Sequence, residues 1–89
     1  MTVKTQKLLH QVRQAQQTGK AILTAADLAD LDLIYVFATA TTLVINCRDC
    51  ATLWKLDDAQ IELRQAIHRL GLDITNIWVE RNGHLAYDF

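Results

Sequence analysis

Apolar and polar positions change period several times along the chain, and each change marks an element. In "KTQKLLHQVRQAQQTG", residues 4–19, Leu8, Leu9, Val12 and Ala15 recur at helical spacing among Lys, Arg and Gln. That pattern predicts a first amphipathic helix, closed by Gly19. In "LTAADLADL", Thr24 followed by Asp27 resembles a capping arrangement, which predicts a short helical turn over residues 25–30 with Leu23, Leu28 and Leu31 facing inward. "DLIYVFATA" and "TTLVINC" are rich in the β-branched and aromatic residues that favour strands. The short Ala38-Thr39-Ala40-Thr41 link between them allows only an antiparallel pair.

The clearest helical pattern runs from about Ala51 to Leu70, where Leu53, Leu56, Ala59, Leu63, Ala66, Ile67 and Leu70 share one arc. Asp49 is placed to cap it and Gly71 to end it. Asp57 and Asp58 toward its start, with Arg64, His68 and Arg69 toward its end, suit the helix dipole. Asn82-Gly83 between two alternating runs predicts a hairpin. A two-residue loop there sets Glu80 opposite Leu85, Val79 opposite Ala86, Trp78 opposite Tyr87 and Asn76 opposite Phe89.

The predicted order is α, short α, β, β, α, β, β. It describes an α+β fold, a mostly antiparallel small sheet with helices on one side, and one domain over residues 1–89. Eighty-nine residues hide a modest share of their surface, so stability is marginal unless a partner helps. Nine basic and ten acidic residues nearly cancel, which argues against a free-standing nucleic-acid binder and does little to oppose self-association. The start of the chain has no apolar core of signal-peptide length, and no run is long enough to span a membrane, so a cytoplasmic location is expected.

The stretch "LVINCRDCATLWKL", residues 43–56, carries a Cys-x-x-Cys pair, Cys47 and Cys50, at a strand-to-helix junction. A cysteine at a helix N-terminus is activated by the dipole. Against a thioredoxin-type site stand the lack of any proline, the acidic Asp49 between the thiols and the lack of a preceding βαβ unit. A zinc site wants a second ligand pair, and His10, His68 and His84 share no motif with the cysteines. Leu43, Ile45 and Cys47 alternate onto one face of the strand, which makes Cys47 a core residue and leaves a thiol or zinc protein as the alternative.

The remaining chemistry is that of contacts. Gly19, Gly71 and Gly83 are isolated, so no phosphate loop or GxxG clamp forms, and no catalytic set assembles. The chain is expected to be no enzyme and to need no cofactor or metal. Trp54 and Ile61 lie off the main stripe of the long helix, where either the first helix or a partner covers them. The hairpin is apolar on both faces, with Ile77, Val79 and Ala86 on one and Trp78, Leu85, Tyr87 and Phe89 on the other. A sheet covered on one side leaves one of these open, and Trp and Tyr are favoured at interfaces.

The runs "LLHQVRQAQQ", "LTAADLADL", "TLVINCRDCATLWKL" and "AIHRLGLDITNIWVE" resemble the DciA family, bacterial proteins that recruit the replicative helicase through a K-homology-like domain. The resemblance covers about Thr5 to Glu80 and rests on hydrophobic spacing. The family's Leu-Pro is Leu23-Thr24 here, its Leu-Arg pair is Leu56-Asp57, and its basic tail is absent. "AQIELRQAIHRLGLDITNIWV" is similar to the C-terminal domain of flagellar hook-length control proteins, over about a third of the chain. The DciA resemblance implies a replication adaptor with at most weak nucleic-acid binding through Arg48, Lys55, Arg64 and Arg69. The residues themselves imply a protein partner or a homodimer, with contacts at Trp54, Ile61, Trp78, Leu85, Tyr87 and Phe89.

Overall fold

The computed structural model describes the backbone from residue 3 and the side chains from residue 8 to the end of the chain. Its elements are α1 (Val3–Ala25), β1 (Leu33–Ala38), β2 (Thr42–Cys47), α2 (Cys50–Asp58), α3 (Gln60–Arg69), β3 (Asn76–Arg81) and β4 (His84–Asp88). The strands form one sheet in sequence order, β1-β2-β3-β4. The outer pairs are antiparallel, and β2 and β3 run parallel. The parallel step follows from the α2–α3 crossover, which carries the chain back to the end of the sheet where β2 began. The architecture is the expected α+β, with a mixed sheet.

The helices cover one face. Val36 and Ala38 of β1, Leu43 and Ile45 of β2, and Ile77 and Val79 of β3 are buried against Ile22 and Leu23 of α1 and Leu56, Leu63, Ala66 and Ile67 of α2 and α3, and Cys47 at the end of β2 is buried too. Among the described residues, no helix is long and apolar enough to cross a membrane.

Four expectations are corrected. First, α1 does not stop at Gly19 but runs through it to Ala25. A Cβ at Gly19 would lie 3.0 Å from Phe37 Cα, 3.1 Å from Phe37 N and 3.1 Å from Val36 Cγ2. The missing side chain therefore lets the helix approach the β1 backbone. Second, residues 25–30 are a helix terminus and not a separate helix. Asp27 takes φ 61°, with Leu28 N–H donating to Leu23 O and Asp27 N–H to Thr24 O. That is a Schellman closure with Asp27 in the position usually held by glycine, and Leu28 packs on the core beside it. The Thr24 hydroxyl donates to Lys20 O inside the helix, so it caps nothing.

Third, the long helix is two helices, bent at Ala59 (φ −100°, ψ 18°). Asp57 and Asp58 thus end α2 and immediately precede α3, so they favour the dipole of α3 and oppose that of α2. Asp49 caps α2 as its position predicts, accepting from Thr52 N–H at 2.8 Å. Fourth, the hairpin register slips by one residue. Asn82 (φ 52°) and Gly83 (φ 82°) make the expected turn, and Glu80 faces Leu85. Beyond that pair Val79 faces Tyr87 and Trp78 faces Asp88. Ile77 and Phe89 exchange backbone hydrogen bonds at 2.8 and 2.9 Å. Ala86 is the extra residue of a β-bulge. The slip turns Tyr87 and Phe89 onto the helix-covered face, where their rings stack at 5.5 Å against the core and Tyr87 Oη donates to Leu53 O. Two aromatic rings gain cover, which outweighs the local cost of a bulge.

Candidate protein-interaction surface

The other face of the sheet has no helix over it. Strand alternation places Tyr35 and Phe37 of β1, Val44 and Asn46 of β2, Trp78 and Glu80 of β3 and Leu85 of β4 there. The register lines them up in two rows: Phe37, Val44, Trp78 and Asp88, then Tyr35, Asn46, Glu80 and Leu85. A bulge at Ile34 in β1 sets Tyr35 into the second row.

The centre of this face is fixed and its rim is open. Val44 is only 7% exposed because Phe37 and Trp78 flank it, and Asn46 is 3% exposed beneath the bridge from the Tyr35 hydroxyl to Glu80 Oε1. That bond to the Glu80 carboxylate, with some burial, raises the Tyr35 pKa above its ordinary value. Asn46 Oδ1 accepts from Gly83 N–H at 3.0 Å, so β2 also pins the hairpin turn. Trp78 (42%), Tyr35 (37%) and Leu85 (56%) stay exposed. The Tyr35 and Phe37 rings lie 5.7 Å apart, tilted by 33°. The result is an aromatic surface held on rigid strands around a satisfied polar centre.

The structure divides the interface residues expected from the sequence. Trp78 and Leu85 lie on the open face. Tyr87 and Phe89 do not, because the bulge sends them inward, where burial first and nearby carboxylates second push the Tyr87 phenol pKa up. Ala86, expected beside Ile77 and Val79, is exposed in the bulge. Trp54 and Ile61 are exposed on α2 and α3, since α1 packs on β1 and α3 without covering them. Tyr35 and Phe37 also lie on this face and were not among the residues expected there. Their alternation with Val36 and Ala38 in "LIYVFA" was the available signal.

Of the four cationic candidates, Arg64 and Arg69 share the lining of one open groove on α3 with Gln65 and His68. Arg64 Nη1 donates to Thr75 O and Arg69 Nη2 to Ala25 O, each at 2.8 Å, so both tie loops and helix ends together. Arg48 lies 3.9 Å from Asp32, and Lys55 sits in the last turn of α2. The cysteines differ from each other. Cys47 is buried and its thiol points to Glu80 O at 3.2 Å, while burial and then the Asp49 charge raise its pKa. Cys50 is exposed at the start of α2 and accepts from Arg81 Nη1 at 2.7 Å. Among the described residues, no three His, Cys, Asp or Glu side chains come together as a metal-holding group. No protein-family model, curated protein or solved structure matches the chain.

Proposed function

We propose that the protein is a non-catalytic interaction module that binds a protein partner through the open face of its sheet. The observation that carries this reading is the uncovered, aromatic-rich sheet face itself. Tyr35, Trp78 and Leu85 stand exposed on a face whose centre is already packed and hydrogen-bonded. Exposed apolar surface of this kind, on a rigid scaffold and rich in Trp and Tyr, favours partner burial over solvation. The resemblance to DciA supplies a partner class within this reading, a replicative helicase in the cytoplasm. The nucleic-acid part of that role is weak, because two of the four candidate arginines and lysines are spent on backbone carbonyls.

Affinity purification from the native host, with wild-type protein and a Trp78→Ala/Leu85→Ala variant side by side, tests the proposal. The expected outcome is a co-purifying protein that the variant loses while its circular dichroism stays native. Equal recovery by both proteins, or recovery of no protein by the wild type, would sink the reading.

A further inference from the structure

The near-neutral total hides a separation of charge. Of the nine basic residues, Lys4, Lys7, Arg13 and Lys20 lie in α1, which has no carboxylate at all. The other five share the rest of the chain with all ten acidic residues. The helix is thus a cation joined to an anionic body.

Its apolar stripe is divided in the same way. Leu8, Val12, Ala15, Gly19, Ile22 and Ala26 follow alternating steps of four and three residues, one continuous helical seam. The C-terminal part of that seam, Gly19, Ile22 and Ala26, is buried in the core. The N-terminal part is not: Leu8 is 61% exposed, with Leu9 and Val12 beside it also exposed. A seam that packs at one end and is bare at the other is an unpartnered helix face.

The same chain carries a surface complementary to it. Trp54 and Ile61 are exposed by 69% and 70%, and Asp57, Asp58 and Glu62 lie between and beside them along α2 and α3. Trp54 and Asp57, with Leu53 and Tyr87, line a shallow groove of about 330 Å³. Among the described residues the one ion pair is Arg48 with Asp32, so no described cation pairs with the ridge acids, and Lys55 is the single basic residue of α2. Pairing α1 with α1 would set like charges against each other, with no acid to relieve them. Pairing α1 with the ridge matches apolar to apolar and basic to acidic.

We propose that the protein self-associates by docking the basic, apolar N-terminal half of α1 from one copy onto the acidic Trp54/Ile61 ridge of a second copy. The contact joins two different patches, and reciprocal docking closes it into a two-fold dimer. Each of the two equivalent contacts rests on only five exposed apolar side chains, small beside the standard protein interface of about 1,600 Å². The association is therefore weak, with a dissociation constant on the order of tens to hundreds of micromolar, and charge steers it.

Sedimentation across protein concentration, at about 0.01 M and about 1 M salt, tests this, since the screening length falls from about 30 to about 3 Å over that range. Wild-type protein is expected to dimerise at low salt and to dissociate at high salt. Lys7→Glu/Arg13→Glu and Asp57→Lys/Asp58→Lys are each expected to be monomeric, with native circular dichroism. An equimolar mixture of the two is expected to recover a complex, because the reversed helix meets the reversed ridge. A wild type that is monomeric throughout, a dimer that neither reversal weakens, or a mixture that stays monomeric overturns the proposal. A dimer built on the open sheet face shows the second of these results, so the two surfaces are distinguished.

Discussion

Gly19→Ala sets two effects of known sign against each other. In an exposed helix interior, alanine is favoured over glycine by about 1 kcal/mol, because glycine loses more backbone freedom on folding. At Gly19 the added methyl meets Phe37 Cα at 3.0 Å, Phe37 N at 3.1 Å and Val36 Cγ2 at 3.1 Å. Carbon atoms pack without strain at about 3.5–4.0 Å, so helix or strand must retreat by a few tenths of an ångström. Two of the three obstacles are backbone atoms of β1 paired to β2, which rotate out of the way less readily than a side-chain tip. Inserting a methyl into such a site costs about 1–3 kcal/mol, so the net effect is a loss of about 1 kcal/mol. In a domain of this size that is a fall of roughly 4–8 °C in Tm. Urea and thermal denaturation followed by circular dichroism measure it. Gln17→Gly, at an exposed site of the same helix, is the control and should cost about 0.5–1 kcal/mol. If Gly19→Ala instead raises stability by about 1 kcal/mol, propensity alone governs the site, and the close approach of α1 to β1 is wrong.

Two further outcomes follow from the α2 junction. Asp49→Ala should lower Tm at neutral pH, because the Thr52 N–H loses its acceptor. The hydrogen bonds from Thr52 hold the Asp49 pKa below its ordinary value, so this contribution is full above the unfolded-state pKa of about 3.9 and fades as pH falls through the lower folded value. The Tm gap between Asp49→Ala and wild type should therefore close in acid, and a gap that is constant with pH contradicts the cap. In alkylation of the native protein, exposed Cys50 should react while buried Cys47 reacts only on unfolding. Mass spectrometry of the labelled peptides decides it, and equal native rates would remove Cys47 from the core.

What the sequence shows of this fold is what short-range chemistry decides. Asn82-Gly83 makes its turn because both residues tolerate positive φ wherever they stand. Asp49 caps because its side chain needs only the next three residues. Cys47 is buried with Leu43 and Ile45 because a strand alternates. Two of the departures, at Gly19 and in the hairpin register, depend on partners remote in sequence. Gly19 looks like a stop until β1 is laid against it. The bend at Ala59 has no proline or glycine to announce it. The bulge at Ala86 forms because Tyr87 and Phe89 find cover under the helices, a gain that no local window contains.

The candidate surface was half legible for the same reason. Trp78 and Leu85 follow from alternation near the turn, and Trp54 and Ile61 from their place off the helical stripe. Tyr87 and Phe89 depend on the bulge. Tyr35 and Phe37 join the site only because β1 lies beside β2 and, across it, β3.

The most direct test of the central claim is hydroxyl-radical labelling of the two tryptophans, with and without the captured partner, at a salt concentration that suppresses self-association. Trp78 lies on the open sheet face and Trp54 on the helical ridge, so each reports on one surface. Binding through the sheet predicts that the partner protects Trp78 and leaves the more exposed Trp54 labelled as before. Unchanged labelling of Trp78, with or without protection of Trp54, would contradict the account.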